Sequence, residues 1–190
     1  MNLVERVKAI LVQPKSEWQA IEREPGDAGY LFTNYVCILA AIPPVCSFIG
    51  MSLIGFGPIR IGIVVGLLDA VITYGLTLIS VFVFAYVIDF LAGTFNGRKD
   101  LGNAMKVAAY APTAAWLVGV VNLIPMLSVL SILGLYSLYL LHTGIGALMK
   151  PPAEKALFYT IAVVACVFVV YLVIFGIIGA LFGVGMLGRY

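Results

Sequence analysis

Charge is what this sequence has least of. Asp, Glu, Lys and Arg make up 11% of its 190 residues, against about 25% in a soluble domain. So few charges cannot clothe a chain of this size in water-facing surface, and the apolar exterior they leave must face lipid. Histidine occurs once, at His142, and cysteine three times, at Cys37, Cys46 and Cys166. One imidazole and three widely spaced thiols in apolar stretches supply no ligand set, so no metal and no cofactor is expected. The cysteines read as buried small hydrophobes. There is no basic run to hold nucleic acid. There is also no P-loop, no Rossmann fingerprint, no HExxH and no Ser–His–Asp spacing, which points to a protein that is not an enzyme. The short alternating segments of a membrane barrel are missing too.

Long hydrophobic runs are abundant: 63% of the residues are hydrophobic. A helix needs about 20 apolar residues to cross a hydrocarbon core of about 30 Å. Five stretches qualify, at 30–56, 59–91, 103–124, 126–148 and 157–183, giving an all-α membrane protein built as a five-helix bundle. Lys and Arg set the orientation. Arg6, Lys8, Lys15, Arg23, Arg98, Lys99, Lys106, Lys150 and Lys155 fall on one side of five spans, and only Arg60 and Arg189 on the other. This bias predicts a cytoplasmic N-terminus and an external C-terminus.

Residues 1–29 form a separate cytoplasmic amphipathic segment, with no short apolar core and cleavage site of a secretory signal. Leu3, Val4, Val7, Ile10 and Leu11 share one helical face, with Glu5, Arg6 and Lys8 placed elsewhere. After Pro14, Ser16 and Gln19 fit a capping box, and Trp18 and Ile21 share the face of a second short helix. The pair either packs on the bundle or docks a partner.

Polar residues inside the spans are the candidates for function. Asp69 is placed about ten residues into the second span, where a charge is costly unless paired or neutralised. Gly62, Gly66, Asp69, Thr73, Thr77 and Ser80 lie within about 80° of helical arc. They line a polar cavity with Asp69 as a proton or cation site, or they pack a neighbouring helix. Tyr110 and His142 are the other members of this expected intramembrane polar site. His142 relays protons or bonds a neighbouring helix. Asn103, Lys106, Tyr110 and Thr113 share one side of the third span, and Lys106 either snorkels or pairs with Asp89. Pro43, Pro44 and Pro112 remove backbone donors and mark helix kinks. Gly179 and Gly183 form a candidate packing or dimer contact.

Three segments carry a family resemblance: Asn2 to Arg6 with Pro14 to Trp18, the run Leu39 to Gly50, and Gly93 to Lys99 followed by Ala109-Tyr110-Ala111-Pro112. In order and spacing they are similar to the bacterial Yip domain family of inner-membrane proteins, over about residues 1–183. The resemblance implies five spans with the N-terminus inside. Eukaryotic relatives bind Rab-type GTPases in vesicle traffic, but their Asp-Leu-Tyr-Gly-Pro motif is absent here.

The expectation is therefore a bacterial inner-membrane organiser or transport-related protein with a polar site around Asp69. The alternatives are a channel or transporter for a proton, ion or small amphiphile, and a partner-binding scaffold. Its surroundings are the lipid bilayer and a second copy or another membrane protein.

Overall fold

A computed structural model describes residues 2–24, 27–55 and 60–187, with side-chain surroundings given through Val173 and again at Gly176. Every regular element among them is helical. Two short helices open the chain, α1 (Leu3–Val12) and α2 (Pro14–Arg23). The Asn2 side chain accepts from the Val4 N–H, and Glu5 accepts from the Asn2 N–H, so α1 carries a capping box. The box expected at Ser16 and Gln19 does not form. Pro14, whose fixed φ suits the first helical position and whose missing donor costs nothing there, starts α2 three residues earlier, and the Ser16 hydroxyl donates to the Gln13 carbonyl.

Five helices follow that are long and apolar enough to cross a membrane: Gly29–Ile54, Ile63–Thr94, Leu101–Leu123, Pro125–Met149, and Ala153–Val173 within the helix Ala153–Leu187. The first three of these spans show how local sequence shapes the path. The first breaks at Ala40–Ala41, just ahead of Pro43 and Pro44, which cannot donate to the carbonyls one turn back. The second is continuous for 32 residues. It begins later than expected, because Arg60–Gly62 is not helical. The third breaks at Ala111–Pro112 and ends as a 3-10 turn, Gly119–Leu123.

The third span is the centre of the bundle. Two thirds of its most apolar window is buried, against a third or less for each of the others. Glycines let its neighbours approach. A Cβ on Gly119 would lie 2.6 Å from Pro43 Cγ, and one on Gly50 would lie 2.0 Å from the Asn122 carbonyl oxygen. Similarly, Gly66 sets the second span against Ser52 of the first.

The core is continuous with the N-terminal helices. Ile10, Trp18 and Ile21 belong to the same buried cluster as Val81, Val107 and Ile145. Outward-facing Val64, Phe90 and Val129 are largely exposed, as lipid-facing side chains are. Cys46 is buried and Cys37 half-buried, but Cys166 is exposed. The apolar run that holds Cys166 turns this residue away from the protein interior. The surroundings of Gly179 and Gly183 lie outside the described side chains.

Candidate functional site

The polar face of the third span, Asn103, Lys106, Tyr110 and Thr113, is buried in full. The hairpin of α1 and α2 covers Lys106 and Tyr110, at the end of the bundle that forms the N-terminal face, while Tyr35 of the first span meets Thr113. Lys106 Nζ donates to the carbonyls of Ile21 (2.9 Å), Glu24 (2.7 Å) and, more weakly, Glu22 (3.4 Å). The Ile21 carbonyl also accepts from the Glu24 N–H at 3.3 Å, and a cation at the end of α2 meets the negative end of the helix dipole.

Arg6 completes the clasp from α1. It is 6% exposed, and its guanidinium bonds the carboxylates of Glu17 and Glu24. It also lies 5.6 Å from the centre of the Tyr110 ring, within cation–π range. Burial alone would pull its pKa down. The hydrogen bond it donates to Glu24 and the charges of Glu24 and Glu17 outweigh that, and the net shift is upward. Trp18 is fully buried, donates from Nε1 to Thr143 Oγ1 at 3.1 Å, and meets Tyr110 edge-on. Its ring occupies the place of a Gly144 side chain, because a Cβ there would come within 2.7 Å. Behind Tyr110, Thr113 Oγ1 donates to the Tyr110 carbonyl at 2.6 Å. That hydroxyl therefore accepts from the Tyr35 hydroxyl at 2.7 Å.

Between the hairpin and the first and third spans lies a cavity of about 570 Å³, lined by Arg6, Glu24, Asp27, Asn34, Lys106 and Tyr110 among others. Elsewhere on α2, Glu22 pairs with Lys150. The Lys150 hydrogen bond is the main reason the Glu22 carboxyl lies below its ordinary pKa. A depressed carboxylate pKa stabilises the folded state above the unfolded value, and the contribution fades as pH falls through the folded value. Lys150→Ala should therefore lower hairpin stability at about pH 6, and its difference from the parent protein should shrink as pH falls below the ordinary Glu pKa of about 4.3. Trp18 fluorescence during denaturant titration checks it.

The residues expected to share one intramembrane site are dispersed. Tyr110 belongs to the N-terminal face. His142 Nδ1 lies 3.0 Å from Thr160 Oγ1, which spends its own proton on the Ala156 carbonyl, so Nδ1 carries the hydrogen. Thr77 and Ser80 donate to carbonyls of their own helix, those of Thr73 and Thr77. Ser80 and Pro112 do meet, around an apolar cavity of about 310 Å³. Asp69 is half-exposed and makes no hydrogen bond or ion pair among the described residues. The helix starts at Ile63, so Asp69 is seven residues in rather than ten. Asp69 and Asp89 are about 30 Å apart along the helix at 1.5 Å per residue, about the thickness of the hydrocarbon core. Asp89 does not pair with Lys106, which is spent on α2, and its Oδ1 is buried without a partner among the described residues. No cluster of three His, Cys, Asp or Glu occurs among the described residues.

Sequence reasoning missed Arg6, Glu17 and Glu24. The signal was slight: on a helical wheel Arg6 falls about 40° from Ile10, at the edge of the apolar stripe. A cation there needs acids from elsewhere in the fold. Glu17 and Glu24, seven residues apart, supply them.

A helical membrane bundle with a short amphipathic hairpin clasped to its central span is the class that fold and site define. Residues 8–187 match the Yip1 domain, and the chain belongs to that family. Over 120 residues it is 35% identical to inner membrane protein YohC of Escherichia coli strain K12, a stretch covering 60% of this chain and 62% of that protein. The match to inner membrane protein YohC of Escherichia coli O6:H1 strain CFT073 has the same extent. The alignment thus spans less than two thirds of the length of these curated relatives. No solved structure matches.

Proposed function

We propose that this protein is a non-enzymatic organiser of the bacterial inner membrane, with the N-terminal face in the cytoplasm and the C-terminus outside. It works by holding a bilayer component or a partner segment in the cavity beneath the hairpin. The observation that carries this reading is the clasp itself: buried Arg6 and Lys106, bound from two elements, hold a polar cavity open at one end of the bundle. Burying two cations is expensive, and a hairpin meant only to cover apolar surface would need neither. The location in the inner membrane is supported by the name of the similar Escherichia coli protein. The side assigned to the N-terminal face is supported by the excess of Lys and Arg there.

A conducting path is less well supported. Thr77 and Ser80 turn their hydroxyls onto their own helix, and Asp69 joins neither Tyr110 nor His142. Purified protein in proteoliposomes is expected to move no proton or cation above empty liposomes, and Asp69→Asn is expected to leave both that result and the thermal stability unchanged. A flux that the parent protein supports and Asp69→Asn abolishes would overturn this reading in favour of a transporter.

A further inference from the structure

We propose that the cavity beneath the hairpin takes the headgroup of a zwitterionic phospholipid carrying a primary ammonium, of the phosphoethanolamine type; this rests on the cavity being the working site. Its position comes first. Tyr30, Asn34 and Ile38, each one helical turn from the next, all line it and are all exposed. This stripe runs from polar to apolar along the first span, so the cavity is continuous with the lipid-facing flank. Its size, about 570 Å³, is that of a small-molecule site. A lipid with its phosphate near Arg6 lays an acyl chain along Ile38.

Charge then selects among lipids. The lining cations are Arg6 and Lys106 and the lining acids Glu24 and Asp27; Glu17, the other partner of Arg6, lies outside the lining. Two against two leaves the lining neutral, with no surplus positive charge to draw an anionic headgroup, which suits a neutral zwitterion. Hydrogen-bonding capacity places its two ends. Arg6 spends two of its five N–H groups on Glu17 and Glu24, leaving the others for phosphate oxygens. Lys106 has all three donors engaged with carbonyls and contributes charge alone. At the rim, Asp27 Oδ1 accepts from the Tyr30 N–H at 3.0 Å, while Asp27 Oδ2 and Glu24 Oε2 have no partner among the described residues. A primary ammonium presents three N–H groups to them, and a trimethylammonium presents none.

The test uses the delipidated full-length protein and native mass spectrometry to count retained phosphatidylethanolamine, phosphatidylcholine and phosphatidylglycerol. Phosphatidylethanolamine should be preferred by roughly tenfold, the scale of a charge-assisted hydrogen bond. Asp27→Asn keeps the helix cap, since Asn caps as well as Asp, but removes the charge and should erase the preference. Ile38→Trp, at an exposed position, should block the mouth and remove retention of all three lipids. If phosphatidylglycerol is held as tightly as phosphatidylethanolamine, or Asp27→Asn keeps the preference, the headgroup assignment is overturned, while the cavity reading stands as long as Ile38→Trp still blocks. If Ile38→Trp leaves retention intact, both fall. Displacement of the lipid by an equal concentration of soluble glycerophosphoethanolamine would mark the ligand as a free solute and overturn the lipid assignment.

Discussion

Arg6→Ala should detach the N-terminal hairpin from the bundle while leaving the five spans folded. The guanidinium bonds two carboxylates that differ in burial: the Glu17 side chain is 12% exposed and that of Glu24 41%. After truncation Glu24 can hydrate where it is, but Glu17 is left buried without its counter-ion. Breaking a buried pair in this way costs about 3–5 kcal/mol, mostly from the charge that remains. Most of that cost falls on Glu17. Arg6→Lys should recover only part of it, because one ammonium lacks the planar fork that reaches two acids. Limited proteolysis within residues 1–29, compared with cleavage in the loops between spans, reads the release. An Arg6→Ala protein whose hairpin resists protease like the parent would show that the clasp carries no weight.

Trp18→Ala should be comparably severe by a different route. The indole is fully buried and sits where Gly144 has no side chain, so nothing on the fourth span can fill the space it vacates. Removing a buried tryptophan costs about 3–5 kcal/mol through lost burial and the cavity left behind. Trp18→Phe separates the contributions. It keeps most of the apolar ring and loses the bond to Thr143, which retains acceptors at the Tyr139 and Leu140 carbonyls. That loss should be about 1 kcal/mol. The measurement is the denaturant midpoint of hairpin release, followed by hydrogen exchange in residues 3–23. Equal midpoints for Trp18→Ala and Trp18→Phe would contradict the packing account.

The spans were legible because the bilayer imposes one demand on each: a run of apolar residues long enough to cross, with charges at its ends. The start of the second was misplaced because Ile61 and Gly62 are as apolar as a helix requires, while the backbone at Arg60–Gly62 is not helical. That Asn103, Lys106, Tyr110 and Thr113 share one side of the third span was legible too, since they recur at helical spacing, but that this side is buried, with Lys106 on α2 rather than at the interface or on Asp89, was not. What lies against that face was not legible. Periodicity gives the direction of a side chain within its own helix and says nothing of the neighbour it meets. For that reason Gly66 and Tyr110, grouped together in the sequence, face different partners: Gly66 meets Ser52 of the first span and Tyr110 meets the hairpin. Arg6 was assigned to water because charge usually goes there. Its burial depends on Glu17 and Glu24 arriving from α2, which no local pattern in α1 announces.

The central claim is that α1 and α2 are part of the folded bundle rather than a free arm beside it. Hydrogen–deuterium exchange of the full-length protein in lipid nanodiscs tests it most directly. Amides of residues 3–12 and 14–23 should be protected to a degree comparable with 103–110 of the third span, and Arg6→Ala should remove that protection without affecting the spans. Exchange of the two short helices at the rate of an unstructured peptide, with the spans fully protected, would contradict it.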